Sequence, residues 1–209
     1  MTDDPQTSTP SIYGLVLAGG RSRRFGHDKA AVAIGHQSLL SRTVGVLQAV
    51  IENVFVSIRA DQIDDRLRRQ FQLIIDQDDS LGPASGIFAA HTSRPDVAWL
   101  VVACDMPLLD SDAVRYLIQA RAGRRAATAY RSPDDGLPEP LCAIYEPDTL
   151  ARFQRQATVG KGLSPRGLLA HADVELVDPP HKGLLSSANT VDDLARLLGT
   201  HKMERDGGK

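Results

Sequence analysis

LAGGRSRRFGHDK, residues 17–29, closes the apolar run Ile12–Leu17 and concentrates glycines and cations in one short loop. A β-compatible run that breaks into such a loop is the pattern of a strand delivering its loop at the carboxyl edge of an open α/β sheet, where such sheets bind ligands. Gly19, Gly20 and Gly26 let the backbone approach a ligand closely, and Arg21, Arg23, Arg24 and Lys29 supply charge for phosphate oxygens. A plain turn with solvated arginines is the alternative reading. Spacing excludes two familiar phosphate loops. Gly26 is followed by His27 rather than by Lys-Ser/Thr, and the adjacent Gly19 and Gly20 do not form Gly-x-Gly-x-x-Gly.

Outward from this loop, apolar and mixed segments alternate as in a mostly parallel sheet with crossover helices, an α/β fold. Strands are expected at 53–58, 73–75 and 98–103, the last being the best candidate for the central strand, and a strand-like run at 141–145. Helices are expected at 37–51, 61–70 and 84–92, with others opening near Ser111, near Ser164-Pro165 and over 191–198. Residues 1–11 read as a disordered leader, 12–199 as one domain and 200–209 as a flexible tail.

The 209 residues are 42% apolar, enough for one core, but only 5% aromatic, so aliphatic side chains must dominate it. A net charge of -2 argues against a broad nucleic-acid surface. No run approaches the length of a membrane span and no targeting segment is evident, which makes cytoplasmic location the expectation. Cys104 and Cys142 sit on apolar runs and read as buried free thiols, and the six histidines lack metal-ligand spacing.

Asp105, at the end of the 98–103 run and followed by Met106-Pro107, is placed to project a carboxylate over the sheet edge. There it can hold Mg²⁺ against the oxygens of a triphosphate, or serve only as a turn or cap residue.

The string LAGGxSxRxGxDK resembles the signature of nucleotidyltransferases with a GT-A-like fold, specifically the molybdenum cofactor guanylyltransferases. Further matches are GPASG at 82–86, ACDMP at 103–107, EPLCAIY at 139–145 and ANT at 188–190, so the likeness runs over roughly residues 12 to 198. It implies a single three-layer, Rossmann-like domain with helices on both faces. It also implies an enzyme that joins GMP from GTP to the terminal phosphate of molybdopterin. By the same resemblance Leu17, Ala18, Gly19, Gly20, Arg21, Lys29 and Asp105 contact GTP. Lys29, Arg24 and Asp105 carry the transfer, with Mg²⁺ (or Mn²⁺) on Asp105. Transient contact with molybdoenzyme maturation proteins is implied too, and no nucleic acid or membrane.

Asn189 corresponds to a metal-side residue of related enzymes, although Ser187 and Val191 depart from the guanylyltransferase pattern; an N-cap role is the alternative. Ser57 and Asp76 align with guanine-recognising positions, Ser57 replacing an Asn. An aspartate accepts both the ring N–H and the amino group of guanine, a pairing that cytosine lacks. Asp78 and Asp79 are neighbouring alternatives, and a solvated acidic loop is the other reading. Gly82 lets the backbone pass near base or ribose, or simply opens a helix. On the acceptor side, the segment holding Pro140 resembles one facing the second substrate, and Lys161 and Arg166 can meet a phosphate or lie on a surface loop. A cytidylyltransferase of molybdopterin, a sugar-1-phosphate nucleotidyltransferase and a noncatalytic nucleotide-binding module remain open as alternatives.

Overall fold

Ala98–Ala103 is buried along its whole length and runs through the middle of a seven-stranded sheet. A computed structural model describes residues 9–20, 28–77, 79–159 and 164–206. The chain opens with β1 (Ile12–Leu17), then a small hairpin of β2 (Ala33–Ile34) and β3 (Gln37–Ser38), followed by α1 (Leu39–Gln48). Next come β4 (Val54–Ile58), β5 (Gln72–Ile75), α2 (Pro83–Ser93), β6 (Ala98–Ala103) and α3 (Ser111–Gln119). The final third holds β7 (Ala127–Arg131), β8 (Pro138–Tyr145), α4 (Pro147–Val159), α5 (Pro165–Ala170), β9 (Val174–Val177) and α6 (Val191–Asp206).

The sheet order is β5-β4-β1-β6-β8-β7-β9, with β6 in the fourth of seven places. Parallel pairing joins β5, β4, β1 and β6, and also β7 to β9, whereas β8 runs antiparallel to both neighbours. The expected mostly parallel sheet is therefore present, with one reversed strand. Side chains alternate between its faces as the strand period of two requires. Val16, Leu100 and Val102 pack with Leu40, Val44 and Leu47 of α1 and Val114 and Leu117 of α3. Leu15, Trp99 and Val101 pack on the other face with Ile87 and Phe88 of α2 and with Leu150, Phe153 and Leu168. Helices thus cover both faces, which explains why β6 reads as an unbroken apolar run.

Three expected boundaries change. Gln37–Ser38 pairs in the hairpin, and the Ser38 hydroxyl accepts from the Ser41 N–H at 3.0 Å, so α1 starts at Leu39 instead of Gln37. The helix expected over 61–70 is replaced by two 3-10 turns, Ala60–Gln62 and Arg68–Gln70. That segment carries only Ile63 and Leu67 as large apolar residues, and Ile63 is 45% exposed, so it has no stripe to bury. Instead the Asp65 carboxylate accepts from the Arg68 N–H at 2.9 Å, a side-chain turn, and Arg68 turns inward. Finally, α6 continues past Leu198 to Asp206, through residues 200–206 of the expected tail. No proline stops it, and the single Gly199 is tolerated within a helix.

Cys104 and Cys142 are buried and unbridged. Among the described residues no helix is long and apolar enough to cross a membrane.

Trp99 is fully buried and meets the rings of Tyr13 and Phe55 edge-on, with centroids 5.7 Å away in both cases. Trp99→Ala is expected to remove about 3–5 kcal/mol of stability, since the neighbouring layer cannot collapse into the space. Urea unfolding followed by circular dichroism measures it; the variant has no tryptophan left for fluorescence. A loss below about 1 kcal/mol would contradict this packing.

Candidate active site

Parallel pairing aligns the carboxyl ends of three strands: Leu17 of β1 lies beside Ser57 of β4 on one side and Ala103 of β6 on the other. Backbone bonds carry the alignment one residue further. The Ala18 N–H donates to the Ser57 carbonyl at 3.0 Å, and the Asp76 N–H to that of Ile58 at 2.8 Å. These ends border a cleft of about 320 Å³. Leu17, Ala18, Gly19, Gly20 and Lys29 line it on one side, with Ser57, Asp76, Gly82 and Asp105 around them. Nine residues singled out from the sequence thus meet in one cavity. Arg21, Arg24, Asp78 and Lys161 lie outside the described residues.

Lys29 enters from a 3-10 turn, Lys29–Ala31, capped by Asp28, whose carboxylate accepts from the Ala30 N–H at 3.2 Å. Its ammonium donates to Asp105 Oδ2 at 2.6 Å and to Asn189 Oδ1 at 3.1 Å. The Ala188 N–H donates to the Asp105 carbonyl at 3.0 Å, which brings Asn189 to this position from the far end of the chain. The N-cap reading of that segment holds. Thr190 caps α6 through its hydroxyl, which accepts from the Asp193 N–H at 3.0 Å, and this leaves the Asn189 amide to face Lys29.

Asp105 Oδ1 is buried and has no hydrogen-bond partner among the described residues. A buried carboxylate oxygen left in that state is costly unless something else completes it. With the Asn189 amide oxygen nearby through Lys29, the donor set suits a hard cation that takes most of its oxygens from water or substrate phosphates. It does not suit an all-protein cage: no group of three or more His, Cys, Asp or Glu placed for a metal occurs among the described residues. Burial pushes the neighbouring Cys104 thiol up to about 12, so it stays protonated beside this carboxylate.

On the opposite wall, the buried Ser57 hydroxyl donates to Asp76 Oδ1 at 2.6 Å. Two glycines make room for this pair. A Cβ on Gly86 would lie 2.1 Å from Ser57 Oγ, and one on Gly19 would lie 2.9 Å from Asp76 Oδ2. Gly82 has a different reason: its φ of +56° precedes Pro83 at the first turn of α2.

Of the acceptor-side residues, Pro140 and Arg166 do not line this cavity. Pro140 is buried in β8, where its carbonyl accepts from the Tyr145 hydroxyl at 2.8 Å, and the adjacent Leu141 lines the cleft instead. Arg166 is bound to Asp135 and lies 3.6 Å from Glu139, whose carboxyl is raised by burial.

Sequence reading missed two arginines. Arg59 lines the cleft and donates to the Gly19 carbonyl. Arg68, 2% exposed, grips both Asp28 oxygens at 2.5 and 2.9 Å and the Ala18 carbonyl at 3.0 Å. Nothing in the string RLRRQ separates Arg68 from Arg66 and Arg69, so no sequence signal was available.

Residues 14–176 match the model of the MobA-like NTP transferase domain. The chain belongs to the MobA-like NTP transferase family. A relative from Pelotomaculum thermopropionicum, named a probable molybdenum cofactor guanylyltransferase, is 30% identical over 93% of this chain and 95% of its own length. A "molybdenum cofactor biosynthesis bifunctional protein" of Synechocystis is 35% identical over 91% of this chain, which spans only 54% of that relative. Among solved structures, molybdopterin-guanine dinucleotide biosynthesis protein A of Archaeoglobus fulgidus superposes with a TM-score of 0.73 at 22% identity, covering 91% of this chain and 98% of its own. That likeness establishes the NTP transferase fold.

Gly86→Ala is expected to cost about 1–3 kcal/mol, because the new methyl must displace Ser57 from Asp76. Gly45→Ala, on the exposed face of α1 with nothing described within 4 Å of its Cβ, should instead leave stability unchanged or raise it by up to about 1 kcal/mol. Guanidinium unfolding midpoints compare the two; equal midpoints would rule out the tight fit at Gly86.

Proposed function

We propose that this family member transfers GMP from GTP to the terminal phosphate of molybdopterin, forming the guanine dinucleotide and releasing pyrophosphate. The observation that carries the reading is the meeting of Lys29, Asp105 and Asn189 at the mouth of the glycine loop, opposite the Ser57–Asp76 pair. The similarity to the Pelotomaculum relative, over nearly the whole of both chains, supports the substrates.

The attacking group is a phosphate already ionised at neutral pH, so no general base is required, and catalysis rests on alignment and charge neutralisation. The Gly19 and Gly20 backbone cradles the phosphates. Lys29, together with Arg24 and Arg21 from the loop, offsets charge on the α-phosphate and on the departing pyrophosphate. Asp105 Oδ1 and the Asn189 amide oxygen are the groups that would hold Mg²⁺, or Mn²⁺ in its place. When bound, the ion supplies charge stabilisation on the phosphate oxygens.

Asp76 reads the base. Ser57 fixes one carboxylate oxygen from behind, which orients the group toward a partner offering two N–H donors, as guanine does. The backbone at Gly82 passes alongside. Pro140, Lys161 and Arg166 remain the residues assigned to the acceptor side, with Leu141 added as the one that borders the cleft.

Incubating the protein with molybdopterin, Mg²⁺ and either GTP or CTP, then weighing the product, tests the assignment; only the guanine dinucleotide is expected. Asp105→Ala and Lys29→Ala should each lower turnover by about 100–1,000-fold with the melting temperature little changed. Near-normal rates in either folded variant would overturn its role, and a cytosine product would overturn the reading of Asp76.

A further inference from the structure

The buried guanidinium of Arg68 stands apart from every other cation described here. Removing such a group from water is expensive, and an apolar side chain fills equivalent space at less cost. Arg68 nevertheless sits 2% exposed, 40 residues from Asp28 and 50 from Ala18 in sequence, and donates to both. Asp65, 3.2 Å away, adds a second carboxylate. These contacts join the two ends of the 18–28 loop, the strand exit at Ala18 and the re-entry at Asp28.

Each end has a consequence for phosphate binding. In a trans peptide the carbonyl and the following N–H point in opposite directions, so holding the Ala18 carbonyl on Arg68 turns the Gly19 N–H away from that guanidinium. Arg59, donating to the Gly19 carbonyl, does the same for the Gly20 N–H. No hydrogen bond within the described residues engages either N–H, and both glycines line the cleft. At the other end, gripping both Asp28 oxygens fixes the cap of the turn that aims Lys29 at Asp105.

We infer that Arg68 is a positioning residue for polyphosphate binding: from beneath the sheet edge it orients the Gly19 amide and, through Asp28, the Lys29 ammonium. Burial by itself would raise the Asp28 carboxyl, yet the Arg68 contacts hold it below the ordinary aspartate range, in keeping with a charged, fixed pair. The inference rests on the nucleotide-binding reading of the cleft, but not on the choice of base.

The test uses the full chain and its Arg68→Lys, Asp28→Asn and double variants, titrated calorimetrically with GTP, CTP and inorganic tripolyphosphate, each with Mg²⁺. Lysine keeps the charge but cannot reach three acceptors at once, and asparagine keeps the oxygen that caps Ala30. Affinity is expected to fall about 10–100-fold, by a similar factor for all ligands the wild type binds, because the loss is on the phosphates. The double variant should be no weaker than the weaker single one, and the KM for the acceptor should not move. Wild-type affinity in a folded Arg68→Lys protein overturns the inference, as do additive losses or a loss confined to one base. If Arg68→Lys does not fold, Asp28→Asn decides, since its side chain is 35% exposed. A wild type that prefers CTP overturns the guanine reading alone, and tripolyphosphate still reports on Arg68. A wild type that binds none of the three overturns both.

Discussion

Everything at the cleft depends on the parallel register that sets Leu17 between Ser57 and Ala103. A strand slipped by one residue sends every side chain to the other face. Here that would exchange Leu15 and Val16 between the two cores and withdraw the backbone that leads into Gly19. The register is held from both sides by apolar side chains with no freedom to alternate, Trp99 and Val101 below, Leu100 and Val102 above. Because parallel strands end on the same edge, fixing the register also fixes where three separate loops emerge. Residues 76 and 160 positions apart in sequence then reach the same ammonium.

The cleft has two halves built by different means. The half formed by Gly19, Gly20, Lys29 and Asp105 relies on backbone direction and a single ion pair. The half formed by Ser57, Asp76 and Gly86 relies on steric room, for neither Ser57 nor Asp76 could keep its place beside an added methyl at Gly86 or Gly19. Gly19 belongs to both. It carries one of the amides and leaves the space that Asp76 occupies, so a side chain there would push the Asp76 carboxylate aside even though the φ of Gly19 is not positive.

Much of this was legible in the sequence because it rests on local pattern. The unbroken run 98–103 reports a strand covered on both faces, and the glycines and Lys29 of the loop report a cleft lined by backbone. Asp105 was legible from its place at the end of that run. What sequence could not supply was direction. Arg68 lies in a charge-rich string whose neighbours Arg66 and Arg69 are exposed, and the same composition reads as a solvated helix. Only the fold shows that the Ala18 carbonyl and the Asp28 and Asp65 carboxylates surround it. For Arg166 the sequence left open a phosphate contact at a helix start or a surface loop, and the fold places it at the start of α5 against two carboxylates, from the β7–β8 connection and β8.

This contrast suggests how charge is apportioned around the cleft. Arg166 is 43% exposed and neutralised by neighbours that also contact water, an arrangement that contributes little and is easily rearranged. Arg68 has no water to return to, so its partners are not interchangeable, and loss of any one leaves a buried donor unmatched. A group in that position resists motion, and resistance to motion is what a phosphate site needs behind it. Preorganised donors stabilise developing charge because they do not have to turn during the reaction. On the proposed reading the cations that meet the phosphates can then be few, since Arg68, which never touches them, has already set the backbone.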